Sequence, residues 1–262
     1  MLPIIDDESV SSLTDQLFTH ARGLVPRDYN LYPVEMFAPP SEMPLIPQSE
    51  WSARIREMDE TQSRLSDIRK GFPSLDQNGH GYCWAYSTGA CTMLLRNLNG
   101  LPYVRLNPHS VAAIIKGGKD EGGWCGLSAQ FLREHGIASE AAWPKHSRSL
   151  ANDTPAARAN MALHKCTEDW VDLTRQVYDQ NLTFAQVATC LLNRIPCALD
   201  FHWWSHSVCG MDLVEVEPGS FGIRILNSWT DNWGEKGTSV LRGTQAQPNG
   251  AVALRVTTAS TE

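Results

Sequence analysis

An α+β fold is what this 262-residue sequence predicts, on three observations. Apolar residues recur at helical spacing through the first half, and short alternating or apolar runs broken by turn signals fill the second. Neither an internal repeat nor a low-complexity run interrupts that division. The length admits one large domain or two closely packed lobes, with one compact unit as the default. Residues 1–48 hold Pro3, Pro26, Pro33, Pro39, Pro40, Pro44 and Pro47 around a short helix near Ser12 to Arg22, the pattern of an extended arm laid over a body. From Ser49, taken as an N-cap, the spacing of Trp51, Ile55, Met58, Leu65 and Ile68 predicts one amphipathic helix of about five turns, reaching Gly71. A helix from Cys83 to Leu98 is closed by Asn99-Gly100, and a shorter one from Ser128 to His135 by Gly136. Thr183 and Gln186 form a capping box for a helix ending at Asn193, before Pro196. Strands follow at 197–201, 206–217, 221–227 and 238–242, separated by "EPGS" and "WGEKG". Residues 144–182 carry no legible pattern.

Composition narrows the function classes. Apolar residues at 42% and charged residues at 19% describe a globular chain rather than a disordered one. A net charge of -7 without a basic cluster argues against nucleic acid or an anionic membrane as partner. The opening "MLPIIDDESVSSL" is unlike a signal peptide and no 18-residue apolar run is present, so a cytoplasmic location is expected. Seven cysteines without a C-x-x-C pair argue against a zinc ribbon or a disulfide framework.

Chemistry concentrates in "DQNGHGYCWAYSTGA", residues 76–90. Cys83 follows a turn containing Gly79 and Gly81 and opens a helix, where the dipole and a nearby imidazolium would lower a thiol pKa. Alternatives are a small packing residue and a metal ligand, because His80/Cys83 and His206/Cys209 share one spacing. Zinc leaves Gln77 and Trp84 unexplained; neither a metal nor a cofactor is expected.

"QNGHGYCW" resembles the active-site segment of the papain-like (C1 family) cysteine peptidases, and "WSHSVCGMDLV" and "ILNSWTDNWGEKG" resemble its histidine and asparagine segments. His206 lies 123 residues after Cys83, and Asn227 lies 144 after it. "DEGGWCGLSAQFLREHGI" and "FAQVATCLLNRIPCALDF" extend the likeness over about residues 66–245. The resemblance implies a two-lobed fold, with a helical N-terminal lobe, an antiparallel β-barrel-like C-terminal lobe and the active site between them. It divides the chain into an arm with its helix (1–65) and a peptidase domain (66–262), whose helical lobe is about 66–180 and β lobe about 181–262. It implies that Cys83 attacks a peptide carbonyl, that His206 moves the proton, that Asn227 orients His206, and that Gln77 supports the oxyanion. Gly122, Gly123, Trp229, Trp233, Ser205 and Tyr82 would line the substrate cleft, with a polypeptide as partner and substrate. His202, which shares a strand face with His206, is the weaker candidate for the catalytic imidazole.

Several departures from the family pattern bear on expectation. His80 and Asp120 stand where a disulfide is usual, as a reducing compartment allows, and are expected to meet as a polar pair. Asn78 and Thr230 replace glycines, so backbone angles there are expected to differ, and Tyr82 is expected to narrow the cleft. Residues 1–65 are read as a permanent arm that docks to an assembly partner. The competing reading, a latent proform, expects residues 30–50 to cross the cleft beside Cys83. The alternative function is a papain-like structural or interaction protein in a larger assembly, for example a viral particle, with weak or no catalysis.

Overall fold

The helix α4 (Cys83–Leu98) is buried continuously from Cys83 to Leu95, an all-round burial that only a helix inserted between two layers can reach. Its small residues make that insertion fit: a Cβ on Gly89 would come within 2.7 Å of the Pro108 ring. The computed structural model describes residues 3–32, 44–69, 72–165, 169–174 and 180–255. In chain order the other helices are α1 (Thr14–Phe18), α2 (Gln48–Glu60), α3 (Leu65–Ile68), α5 (His109–Ile115), α6 (Cys125–His135), α7 (Pro155–Leu163) and α8 (Gln180–Leu192). The strands are β1 (Ile4–Ile5), β2 (Asp169–Asp172), β3 (Cys197–Phe201), β4 (His206–Glu217), β5 (Ser220–Leu226), β6 (Thr238–Arg242) and β7 (Gly250–Arg255).

Helices α5 and α6 pack with α4 on one side, and α4 lies against β3 and β4 on the other. Two apolar clusters result, one around α4, α5 and α6 and one between the sheet, α2 and α8. The seven strands run in the order β1-β6-β5-β4-β3-β7-β2, antiparallel throughout except where β1 joins β6 in parallel. The sheet is open, which corrects the barrel-like expectation: its edges are β1, from the arm, and β2, from the stretch without a legible pattern, and these two do not pair. The single long helix expected from Ser49 is instead α2 and α3, because Thr61, Gln62 and Ser63 turn the chain at a Gln62 φ of +49°. Polar, short-chain Thr61 and Ser63 compete for backbone hydrogen bonds at that point; Trp51 of α2 still packs edge-on against Phe221 of β5.

Six described cysteines, Cys83, Cys91, Cys125, Cys190, Cys197 and Cys209, are buried free thiols, and Cys166 lies outside the described residues. No described helix is long and apolar enough to cross a membrane. The end of α6 depends on Gly136, at φ +81°, where a Cβ would lie 2.0 Å from the Met161 carbonyl oxygen of α7. Gly136→Ala is therefore expected to lower stability by more than about 1 kcal/mol in a denaturant titration; an unchanged midpoint would show that the α6–α7 contact relaxes freely.

Candidate active site

Two short segments from distant parts of the chain are sewn together to make the site. The Gln77 N–H donates to the Ser228 carbonyl (3.0 Å), the Thr230 N–H donates to the Leu75 carbonyl (3.1 Å), and Asp76 bridges Trp229. Asn78 (φ +47°), Gly79 (φ +76°) and Thr230 (φ +65°) all have left-handed backbones. Asn tolerates this region, but a β-branched residue is strained there, so Thr230 keeps a glycine-like angle at a cost. The turn after Gln77 delivers Cys83 as the first residue of α4. His206 begins β4 immediately after Ser205, which is itself left-handed at φ +49°.

The structure brings Cys83, His206, Asn227 and Gln77 to one buried locus. His206 Nε2 lies 2.8 Å from Asn227 Oδ1, which also accepts the Ser228 N–H at 2.8 Å. An amide oxygen already taking one N–H favours the Nε2–H form of the imidazole, leaving Nδ1 with its lone pair; Nδ1 has no hydrogen-bond partner. Trp229 stacks on the His206 ring at 4.4 Å, Trp204 meets it edge-on at 4.8 Å, and Trp233 stands edge-on to Trp229. These indoles keep water from the His206–Asn227 bond. The Gln77 Oε1 accepts from the Ser228 hydroxyl (2.6 Å), which aims its Nε2 toward the cleft. His202 is exposed and lies in a single 3-10 turn rather than on a strand, away from this geometry.

The cleft is filled by the chain itself. The Gly23 N–H donates to Cys83 Sγ at 3.3 Å. Gln77 Nε2 donates to the Ala21 carbonyl at 2.9 Å, as does Trp229 Nε1 at 3.3 Å. Gly23, Leu24 and Val25 run beside Gly123 through the Gly123 N–H to Gly23 carbonyl and Val25 N–H to Gly123 carbonyl bonds, both 2.9 Å, and the Leu24 N–H donates to the Ser205 carbonyl. Upstream, His20 stacks on Trp229 and Trp233 Nε1 donates to the Gln16 carbonyl. The described segment beside Cys83 is thus 16–25; of the 30–50 stretch expected to cross the cleft in a proform, residues 33–43 lie outside the described residues. Because an amide N–H, not a carbonyl carbon, faces the sulfur, this contact offers nothing to attack.

Burial under the segment sets the charges. It pushes the Cys83 thiol up to about 11, partly offset by hydrogen bonds from Ser207 and Gly23, and drives His206 down to about 3. Both groups are therefore neutral in this state, where the sequence suggested a thiolate beside an imidazolium; desolvation outweighs the helix dipole. Cys83 makes no hydrogen bond to His206 here, and leans on Ser207, one residue further along β4.

Other expected residues take different places. The Tyr82 hydroxyl donates to the Lys119 carbonyl (2.6 Å) and the side chain is fully buried, so it braces the 119–123 loop rather than narrowing the cleft. His80 does not pair with Asp120: its Nδ1 lies 3.1 Å from His109 Nε2, while Asp120 accepts the Gly81 N–H at 2.8 Å. The turn's own unsatisfied N–H is the nearer donor, and it takes the carboxylate. Both members of the double glycine are needed, for different reasons: a Cβ on Gly122 would lie 2.5 Å from the Gly23 carbonyl oxygen, and one on Gly123 would lie 2.7 Å from the Trp84 ring. Beneath the site is a network the sequence did not signal, in which buried Asp200 accepts from the Cys125 thiol (2.8 Å), the Cys125 N–H (3.2 Å) and the Ser207 hydroxyl (2.5 Å). Desolvation and this carboxylate raise the Cys125 thiol well above the ordinary range.

No family model matches the chain. It is 26% identical over 205 residues to the cysteine endopeptidase RepA of Oryza sativa subsp. japonica, a match covering 68% of this chain. The match takes in 51% of RepA, so the chain spans about half the length of that curated relative. Among solved structures it is similar to xylellain, a cysteine protease from Xylella fastidiosa (TM-score 0.58, 15% identity, 73% of this chain and 85% of that one). It is similar also to the digestive procathepsin L2 proteinase of Tenebrio molitor (0.62, 15%, 96% and 80%) and to the bromelain protease of Ananas comosus (0.56, 18%, 74% and 98%). An α4 helix wedged against an open sheet, with Cys83 and His206 at the seam, is thus one instance of a shared architecture: the chain has the fold of the papain-like cysteine proteases.

Proposed function

We propose that this protein is a cysteine-type peptidase that hydrolyses peptide bonds of polypeptide substrates through an acyl-enzyme, and that residues 16–25 hold it latent. The observation that carries the reading is the His206–Asn227 pair, with Nδ1 left without a partner beside the Cys83 segment. A ring fixed at Nε2 by a neutral amide keeps Nδ1 available as a base without adding charge. With the arm displaced and water admitted, the Sγ proton passes to Nδ1 and the thiolate attacks the carbonyl carbon. Gln77 Nε2 then holds the oxyanion, the imidazolium protonates the leaving amine, and water, deprotonated by His206, releases the acid and frees the thiol. The Ala21 carbonyl already on Gln77 Nε2 supports this role, since a main-chain oxygen fits that donor. A purely structural descendant has no physical reason to keep all four groups together.

Close packing at Gly23, where a Cβ would lie 1.9 Å from the Gly81 carbonyl oxygen, makes this the point at which a side chain would wedge the whole segment off the site. Gly23→Ala should lift the segment, and labelling of Cys83 by a peptidyl epoxide, read by mass spectrometry against Cys83→Ala, should rise at least about tenfold over the unaltered chain. Absence of any Cys83 adduct in the Gly23→Ala protein would move the assignment to the structural role. In that same open background Gln77→Ala is expected to lower kcat by about 10²- to 10³-fold with KM little changed. An unchanged kcat would remove Gln77 from the oxyanion site.

Acid should loosen the arm. The imidazole of His206 is held neutral down to about pH 3 while covered, against an ordinary 6.5, so between these values only the uncovered form takes up a proton. Two pH units below 6.5 favour the uncovered form by at most about 100-fold. Reaction of Cys83 in the full chain with dithiodipyridine, an activated disulfide that reacts in acid, is expected to accelerate from pH 7 to 4.5 while far-ultraviolet circular dichroism stays constant. A flat profile would mean that arm release does not expose His206.

A further inference from the structure

Beyond Gly123 the arm places Arg27 in a pocket lined by Leu24, Trp124, Asp172, Thr174, Asp200 and Ala251. One guanidinium nitrogen, Nη1, pairs with Asp172 Oδ2; the two side chains are only 6% and 2% exposed. Arg27 Nε donates to the Tyr32 carbonyl at 2.6 Å, and the guanidinium lies over the Trp124 ring at 4.6 Å and over Tyr29 at 4.7 Å. Tyr32 and Tyr29 belong to the arm and leave with it, whereas Trp124 and Asp172 belong to the body. The second Asp172 oxygen accepts the Thr174 N–H at 3.0 Å. Asp200, the pocket's other carboxylate, is already engaged by Cys125 and Ser207. Asp172 is therefore the group in this pocket that holds the cation.

When a substrate replaces the arm, the bonds at Gly23 to Val25 break and Arg27 goes with them, only two residues further on. A buried carboxylate stripped of its counterion is costly, so Asp172 then favours a new cation over an empty or apolar-filled pocket. The planar face of Trp124 favours a guanidinium in particular. Burial pushes the Asp172 carboxyl up and Arg27 pulls it down, in keeping with a carboxylate that relies on a partner. We infer that Asp172 is a specificity-determining residue, which makes this end of the cleft select polypeptides carrying an arginine or lysine side chain near the cleaved bond. The inference rests on the peptidase reading and names its substrate class.

The test is cleavage of a mixed peptide library by the full-length Gly23→Ala chain, with sites read by mass spectrometry. Arg and Lys should be enriched at least about fivefold at one fixed position relative to the cleaved bond. The added substitution Asp172→Asn should return that position to background while cleavage at other sites continues. A basic preference that survives Asp172→Asn, or no basic preference in Gly23→Ala, overturns the inference and leaves the Arg27–Asp172 pair as a latch only. A Cys83 epoxide adduct without cleavage of any peptide also overturns it; absence of both adduct and cleavage removes the peptidase reading as well. A second measurement needs no change at Asp172: the peptide HARGLVPRDY, copied from residues 20–29, should compete with epoxide labelling of the Gly23→Ala chain. Its Arg27→Ala counterpart should compete at least about tenfold more weakly, and equal competition by the two overturns the inference.

Discussion

Everything at the site depends on the insertion of α4 between the helical layer and the sheet. A helix buried on all faces cannot slide or rotate without opening a cavity, so Cys83 at its first position is held in register with β4. Contacts along the seam are small and close: the Cys91 and Cys209 sulfurs, both free thiols, approach to 3.4 Å. The same packing that stabilises the body thus fixes the Cys83 and His206 segments relative to each other, and the Gln77–Ser228 bond completes the alignment from outside.

Under the arm the proposed catalytic groups are held neutral by desolvation. Removing water from Cys83 and His206 moves their proton affinities in opposite directions, each toward its neutral form, and an amide N–H satisfies the sulfur. Backbone pairing with Gly123 and the stacking of His20 on Trp229 spread the grip along the cleft. Loss of any single contact still leaves others, and so the hold resides in the length of the segment rather than in one bond.

Two buried acids show how identical chemistry separates by partner. Three donors from the body surround Asp200, whose carboxyl burial raises to about 6 and which organises the floor under Cys83. Its neighbour Asp172 is held by Thr174 from the body and by one cation from the arm.

By itself the sequence determined the periodic and locally encoded parts. Helix α4 and the strands β3, β4 and β6 were legible from periodicity and turn signals, whereas the association of Cys83 with His206, Asn227 and Gln77 was implied by the resemblance of their segments to the papain-like peptidases. Strand β2 was not, since Asp169 to Asp172 lacks an alternating pattern and is a strand only because β7 pairs with it. Tertiary structure alone decided that the sheet stays open, that α2 and α3 separate at Gln62, that Tyr82 and His80 turn inward, and that residues 16–25 cover the thiol. Each of these turns on contacts between residues far apart in the chain, where desolvation and a hydrogen-bond partner outweigh local preference.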